Sequence, residues 1–202
     1  MDLPKIKLAQ PTLVDRPFHR DGWVFEEKVD GWRLLAFKSG DDVRLVSRPG
    51  RDHTRRFTDL AAAIRRLPQE TLVLDGEVAI FDNQLVSRFE WMRHGKPPGV
   101  ATPTMFMVFD CLYLEGADLR PRELRVRREA LEKVIDNQTL ILPVRRLADD
   151  GLKAWSEVEQ RGYEGYVAKD ESSPYTAGQT LSWLKVKQAE YRVIERGWYN
   201  TE

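Results

Sequence analysis

FEEKVDGWR, residues 25–33, places Lys28 at the end of an apolar run that starts at Trp23. Two glutamates precede the lysine, and Asp30 follows, with Gly31 as a turn that would let the backbone approach a ligand. The charged end of a surface strand produces this pattern. A lysine held as a nucleophile produces it too, because burial at a strand end removes water from the amine and lowers its pKa. Nine residues do not separate the two interpretations.

The composition is that of an ordinary globular protein without net charge. The chain has 202 residues, of which 42% are hydrophobic, and its 32 Lys and Arg balance 32 Asp and Glu. Because a general nucleic-acid coat is normally basic, any binding of polyanions must come from local patches. No stretch approaches the roughly 18 apolar residues of a membrane span, and the N-terminus has no signal-peptide pattern. We therefore expect a cytoplasmic protein without membrane contact, with its single Cys111 in the core.

The order of strand and helix patterns predicts an α+β fold. Helical segments alternate irregularly with hairpins that look antiparallel, unlike the regular alternation of a doubly wound parallel sheet. Neither GxGxxG nor GxxxxGK[ST] is present, so a nucleotide would be bound by another scheme. Strands are predicted over 23–29, 33–48 (a hairpin turning at 39–42), 71–81, 105–116, 139–147, 164–170 and 182–199, and helices over 57–68, 87–95, 121–136 and 150–162.

Two lysines near the C-terminus are predicted to share one face of a strand. In WLKVK, residues 183–187, Lys185 and Lys187 alternate with apolar residues, so both ammonium groups project in the same direction. Two neighbouring cations repel each other unless an anion lies between them, and a phosphate would fit. An edge strand that uses lysines against aggregation has the same pattern. This feature alone leaves both interpretations open.

Two glutamates stand where a predicted buried strand meets a glycine. Glu77 follows Gly76 in LVLDGEV, and Glu164 precedes Gly165 in EGYVAKD. Carboxylates in such positions can bind Mg²⁺ or a ribose hydroxyl, and they can equally be turn residues.

The arginines form two clusters. The first, in SRPGRDHTRRF, is a candidate patch for the phosphate backbone of a nucleic acid and contains Arg48, Arg51, Arg55 and Arg56. The second is predicted to be a solvated helix face and contains Arg120, Arg122, Arg125, Arg127 and Arg128. The three histidines are scattered and show no metal-binding spacing, so no histidine-based triad is expected.

Six motifs, taken in order, resemble the nucleotidyltransferase motifs of the ATP-dependent DNA ligases, and most of all those of the bacterial end-joining type. They are EEKVDGWR, SRPGRD, LDGEV, FMVFDCLYLEG, EGYVAKD and WLKVK. A single KxDG is a weak signal, whereas six motifs in the family's order are specific. The resemblance covers about residues 8–190. It implies an ATP-grasp-like nucleotidyltransferase domain, with antiparallel sheets flanked by helices and the nucleotide pocket between them.

The resemblance also implies roles for individual residues. Lys28 matches the lysine that attacks the α-phosphate of ATP, expels pyrophosphate and holds AMP for transfer to the 5′-phosphate of nicked DNA and strand joining. Glu26 matches the residue that recognises the adenine amino group, and Arg33 matches a ribose contact. Glu164 matches a glutamate that binds Mg²⁺ or Mn²⁺, and Glu77 an acid on the ribose hydroxyl that is also a candidate metal ligand. The other nucleotide contacts implied are Arg48, Lys169, Lys185, Lys187 and Phe109, the last as the ring that stacks on adenine unless it only packs in the core.

The resemblance divides the chain into an extended lead-in over 1–20, an adenylation domain over 21–190 and the start of a missing OB-fold domain over 191–202. The family's core normally continues into that OB-fold, whose last motif orients the pyrophosphate. The implied partners are nicked double-stranded DNA, bound weakly through the arginine patches, and a separate OB-fold or DNA-repair protein; the chain itself is expected to be a monomer. Gln179 and Thr180 stand where related ligases carry basic residues, which weakens the phosphate contacts expected there.

Three functions therefore compete. The first is the adenylation domain of an ATP-dependent DNA ligase. The second is an RNA ligase or an mRNA-capping guanylyltransferase of the same superfamily, which SRPGRD and FDCLYLEG disfavour. The third is a non-catalytic nucleotide- or DNA-binding module, supported by the missing OB-fold and opposed by the intact motif residues.

Overall fold

The fold consists of two β-sheets and four helices, in a computed structural model that describes residues 6–94, 102–189 and 191. No helix within these residues is long and apolar enough to cross a bilayer. The elements in chain order are β1 (Ala9–Leu13), β2 (Trp23–Glu27), β3 (Trp32–Ser39), β4 (Asp42–Ser47), α1 (Thr58–Arg65), β5 (Thr71–Ala79), α2 (Phe89–His94), β6 (Met105–Leu114), β7 (Ala117–Asp118), α3 (Leu124–Val134), β8 (Ile141–Pro143), α4 (Gly151–Arg161), β9 (Gly165–Asp170) and β10 (Gly178–Lys187).

Both sheets are mainly antiparallel, which confirms the predicted α+β fold. The smaller sheet has the order β1-β10-β9-β2, and the larger has the order β4-β3-β5-β6-β7 with β8 beside β6. Two pairings are parallel, β1 with β10 and β6 with β8. Both join strands that are distant in sequence, so no hairpin pattern could have predicted them.

Two predicted strands end earlier than their sequence pattern suggested. The strand predicted over 139–147 is reduced to β8, which ends at Pro143. The strand predicted over 182–199 begins earlier, at Gly178, and ends at Lys187. Of the segment 191–202, predicted to begin an OB-fold, all residues but 191 lie outside the described ones.

The N-terminal segment supplies an edge strand. Within the lead-in of residues 1–20, β1 pairs with β10 over Ala9 to Leu13, with an irregularity after Pro11. The strand is fixed by side chains as well, because Arg33 donates to the Ala9 carbonyl at 2.7 Å and the Ala9 N–H donates to the Tyr175 hydroxyl at 3.0 Å. Residues 9–13 thus complete the sheet that follows them in sequence.

The apolar residues form layers on either side of the sheets. Helices α1 and α3 cover the larger sheet with side chains such as Leu60 and Leu131, and α4 covers the smaller one through Ala154 and Val158. A third cluster lies between the sheets and joins side chains of β3, β5, β6 and β10, including Leu35, Val73, Leu112 and Trp183. The polar motif residues gather at the edge of this middle layer.

Two motif glycines are required by close contact between strands. A Cβ on Gly31 would lie 2.3 Å from the Val78 carbonyl oxygen, and one on Gly165 would lie 2.0 Å from that of Val186. Both distances are far below van der Waals contact, so any side chain would push the strands apart. Gly31 was expected to admit a ligand to the backbone; its role in the structure is to let β5 approach.

Candidate active site

A pocket between the two sheets gathers the residues that the motifs singled out. Eight of the ten predicted site residues line it: Glu26, Lys28, Arg33, Arg48, Glu77, Phe109, Lys169 and Lys185. The other two adjoin it: Glu164 forms an ion pair with Lys28, and Lys187 forms an ion pair with Glu164. The site therefore draws on seven strands or strand ends that are widely separated in sequence.

Lys28 lies directly after β2, where its amine meets a buried carboxylate. Its backbone N–H donates to the Gly165 carbonyl at 3.0 Å, and its Nζ donates to Glu164 Oε2 at 2.7 Å. Lys187 Nζ lies 2.8 Å from the other oxygen, Oε1. Glu164 is only 5% exposed, while Lys28 is 20% exposed. One buried carboxylate thus bridges two lysines, and one of these faces the pocket.

The pKa of Lys28 is raised above its ordinary value. Burial alone lowers this pKa, but the charge of Glu164 and its hydrogen bond, together with Glu77 and Asp30, outweigh burial. The expectation from sequence, that burial at a strand end lowers the lysine pKa, is therefore wrong for the protein without bound nucleotide. The sequence showed the apolar run but not the three carboxylates that the fold brings to the amine.

Two further carboxyls near Lys28 have raised pKa values. Burial raises the pKa of Glu77 to about 8 and that of Asp30 to about 6, with a smaller contribution from the charge of Glu164, and Lys28 opposes both shifts. Mutual repulsion of buried carboxylates is relieved by protons or by an added cation. Within residues 6–94, 102–189 and 191, no group of three or more His, Cys, Asp or Glu is arranged to hold a metal. A Mg²⁺ bound here would therefore need other oxygens, such as those of a phosphate.

The raised pKa of Glu77 predicts a specific pH dependence of stability. Its contribution is fully present below the ordinary carboxyl pKa of 4.5 and is lost as the pH rises through about 8. Glu77→Gln should therefore match wild type at pH 4 and melt at a higher temperature than wild type at pH 9. Thermal unfolding between these pH values measures the difference.

The control for this experiment is Glu129→Gln, which removes an exposed carboxylate from α3. It should leave the pH profile of the melting temperature unchanged. A Glu77→Gln protein whose profile runs parallel to that of wild type would contradict the assignment.

Arg33 is held at the back of the pocket by several partners. Its Nε and Nη2 donate to the two oxygens of Asp75 at 3.0 and 2.7 Å. Asp75 also accepts from the Tyr175 hydroxyl at 2.7 Å. The guanidinium carbon lies 5.2 Å from the centre of the Phe109 ring. These contacts fix the cation in one orientation toward the pocket.

Phe109 is both a pocket residue and a packing residue. Its ring contacts Trp183 edge-on, with 5.9 Å between centroids, and lines the pocket. Lys169 Nζ lies 4.4 Å from the Phe109 ring centre and 4.3 Å from that of Trp183. Burial lowers the pKa of Lys169, and Arg128 contributes to the lowering while Glu26 opposes it.

Two arginines that were expected on a solvated helix face are buried instead. Arg127 is 0% exposed and binds both oxygens of Asp110 at 2.8 and 2.9 Å. Arg128 is 2% exposed and its Nη1 lies 3.0 Å from Glu26 Oε1. The prediction is therefore wrong for these two, because α3 packs on β6 and turns them toward buried carboxylates.

The first arginine cluster is divided between the pocket and the surface. Arg48 is exposed and lines the pocket, and Arg51 and Arg55 are exposed as well. Arg56 is exposed too, and it donates to the Met92 carbonyl at 2.7 Å and lies 4.8 Å from the Trp32 ring. A cationic surface therefore adjoins the pocket, but Arg56 mainly ties α2 to β3.

Several residues that hold the site together were not predicted as site residues from the sequence. Asp30 and Asp75 stood inside the quoted motifs and carried an acidic signal, yet neither was singled out. Tyr175, Trp183 and Arg128 gave no signal, because a buried hydroxyl, ring or guanidinium has no pattern of its own in a single sequence.

The sequence is similar to known proteins over most of its length. A family model described as ATP dependent DNA ligase domain matches residues 8–187. The chain is 36% identical over 178 residues to the Multifunctional non-homologous end joining DNA repair protein LigD of Mycobacterium tuberculosis, covering 87% of this chain and 23% of that protein. It is 36% identical over 204 residues to DNA ligase C1 of Mycolicibacterium smegmatis, covering 93% of this chain and 58% of that protein.

The fold is similar to that of a solved structure described as mycobacterial DNA ligase D complexed with ATP and MES. The TM-score is 0.79 at 34% sequence identity, over 90% of this chain and 60% of that one. The chain thus spans less than two thirds of the length of each of these three proteins.

Proposed function

The chain belongs to the ATP-dependent DNA ligase family, and on that premise we propose that Lys28 attacks the α-phosphate of ATP to form a covalent lysyl-AMP. The observation that carries the proposal is the position of the Lys28 amine. It lies on the wall of the pocket and pairs with Glu164, and Lys187 shares that carboxylate while Lys185 lines the same pocket. The related mycobacterial structure complexed with ATP supports ATP as the nucleotide.

The pocket offers a distinct group to each part of the nucleotide. Glu26 presents a carboxylate to the adenine amino group, and the Phe109 ring is available for stacking. Arg33 and Glu77 lie where the ribose would bind. The cations for the phosphates are Arg48, Lys185 and Lys187. Lys169 lines the pocket and pairs with Glu26, so it would contact the nucleotide near the base.

The reaction requires Lys28 to be neutral at the moment of attack. The amine nitrogen forms a bond to the α-phosphorus, the bond from that phosphorus to the pyrophosphate oxygen breaks, and the nitrogen releases a proton. The negative charge of Glu164 opposes this step, because its ion pair with Lys28 stabilises the protonated amine. Lys187, on the other oxygen of Glu164, offsets part of that charge.

A divalent ion, Mg²⁺ or Mn²⁺, fits the acidic surroundings of Lys28. Glu164 and Glu77 would hold it together with phosphate oxygens, and it would neutralise charge on the phosphates. Burial is the main cause of the raised pKa of Glu77, about 8, and a cation beside this carboxyl would favour its charged form.

The later steps follow the chemistry of the family. AMP passes to the 5′-phosphate of nicked double-stranded DNA, and a 3′-hydroxyl then displaces AMP to join the strands. We assign residues 21–190 to this adenylation domain and place β1 with it. The chain acts in the cytoplasm as a monomer and takes part in DNA repair. An OB-fold, from residues beyond those described or from a partner protein, completes full joining.

The labelling experiment tests the proposal directly. Incubation with Mg²⁺ and ATP labelled at the α-phosphate should give a protein whose label survives denaturation. Labelling by GTP instead would identify a capping guanylyltransferase. The absence of any label, combined with no reaction on pre-adenylated nicked DNA, would leave only the non-catalytic binding function.

The exposed arginines predict weak and salt-sensitive DNA binding. Each phosphate contact changes the slope of log K against log [salt] by about 0.9. Arg48→Ala should therefore weaken binding to nicked DNA and reduce this slope by about one, as measured by fluorescence anisotropy over a salt titration. Arg125→Ala, an exposed arginine on α3, serves as the control and should leave the slope unchanged. A DNA affinity that does not depend on salt would contradict the prediction.

A further inference from the structure

We propose that Arg128 is a positioning residue that sets the base selectivity of the pocket by fixing the carboxylate of Glu26. The inference rests on the proposed function, since it concerns which nucleotide Lys28 accepts. Arg128 belongs to α3 and is 2% exposed, and it is not among the residues that line the pocket. It can therefore act on a bound base only through Glu26.

The geometry is that of one carboxylate between two buried cations. Glu26 Oε1 lies 3.0 Å from Arg128 Nη1, and Glu26 Oε2 lies 2.5 Å from Lys169 Nζ. All three side chains are 2% exposed. A cation beside each oxygen restrains the rotation of the carboxylate, which therefore keeps one orientation toward the pocket.

The two cations are themselves anchored. Lys169 Nζ lies over the rings of Phe109 and Trp183, at 4.4 and 4.3 Å from their centres. Arg128 Nη2 lies 3.5 Å from the Val144 carbonyl oxygen and 3.7 Å from Glu132. The orientation of Glu26 is thus determined by α3 and β9 together, and not by the pocket wall alone.

The chemical consequence is discrimination at position 6 of the purine. A fixed carboxylate accepts a hydrogen bond from an exocyclic amino group and repels an exocyclic carbonyl oxygen. A buried group left without its partner gives strong rejection of the wrong substrate. Replacing the guanidinium of Arg128 lets the carboxylate of Glu26 rotate. The preference for a 6-amino purine should then weaken while Lys28 remains in place.

The experiment compares Arg128→Lys with wild type. The second-order rate constant of labelling is measured with ATP and with ITP, which carries an oxygen at position 6, and the ratio of the two is the selectivity. We expect Arg128→Lys to lower this ratio by about tenfold or more, because the 3.0 Å ion pair of the guanidinium with Glu26 is lost. Both rate constants come from one preparation, so the fraction of folded protein cancels from the ratio.

The matched control is Arg127→Lys, which changes the preceding residue of α3. Arg127 is buried as well, but it pairs with Asp110 and not with Glu26. It should alter stability and leave the ratio unchanged. In a Glu26→Gln protein, which loses the ionised acceptor, Arg128→Lys should cause no further change, because the two residues act as one unit.

The outcomes are distinct. An unchanged ratio in Arg128→Lys, or an equal loss in Arg127→Lys, overturns the inference while the proposed function stands. A wild-type protein that takes no label from ATP overturns the proposed function and this inference with it.

Discussion

Lys28→Ala should carry no AMP after incubation with Mg²⁺ and α-labelled ATP, a loss of about a thousandfold or more relative to wild type. Loss of a covalent nucleophile removes the reaction path itself, so no neighbouring residue can compensate. Lys185 and Lys187 are fixed on β10, and Lys187 is held by Glu164. The measurement is the label retained on denatured protein, together with the mass of the intact chain.

Two further variants make the result specific. Lys28→Arg keeps a cation for Glu164 but supplies no amine, so it should fold like wild type and still take no label. Lys153→Ala removes an exposed lysine from α4 and should be labelled normally. Label on Lys28→Ala, mapped to another residue, would contradict the assignment of the nucleophile.

Arg127→Met should lower the free energy of unfolding by about 3–5 kcal/mol, because it leaves the carboxylate of Asp110 buried without its cation. Asp110 is 0% exposed and receives two hydrogen bonds from Arg127. The same guanidinium also donates to the Ser173 carbonyl at 3.0 Å, so it joins α3 to β6 and to the loop after β9. Urea titration measures the change.

The control lies two residues earlier on the same helix. Arg125 is 59% exposed and pairs with Glu123 at 2.7 Å on the surface. Arg125→Met should change the free energy of unfolding by about 0.5 kcal/mol or less, as exposed ion pairs contribute little. Equal free energies of unfolding for the two methionine variants would contradict the prediction that the buried ion pair contributes more to stability than the exposed one.

Strands and helices with a clear period were predictable from the sequence. The hairpin of β3 and β4 turns at Gly40, as expected, and α1 buries Leu60 and Ile64 at helical spacing. Such patterns are local, so a window of ten residues contains them. The parallel pairing of β1 with β10 joins residues about 170 positions apart, as in Ala9 with Gly178, and no window contains both.

The residues of the candidate site were predictable from the sequence, but their interactions were not. Motif order identified the eight pocket residues and the adjoining pair of Glu164 and Lys187, because the residue types themselves indicate the chemistry. The ion pairs were not predictable: Lys28 and Glu164 are separated by 136 positions, and Arg33 and Asp75 by 42.

The sequence by itself determined which functional groups line the pocket: an amine, carboxylates, an aromatic ring and cations, on motifs in the order found in the DNA ligases. Only the tertiary structure decided how those groups act on one another. It placed Glu164 on Lys28 and so raised the pKa of that lysine, and it turned Arg128 inward onto Glu26. The physical reason is that charge interactions depend on distance and burial, which the fold sets and the order of residues does not.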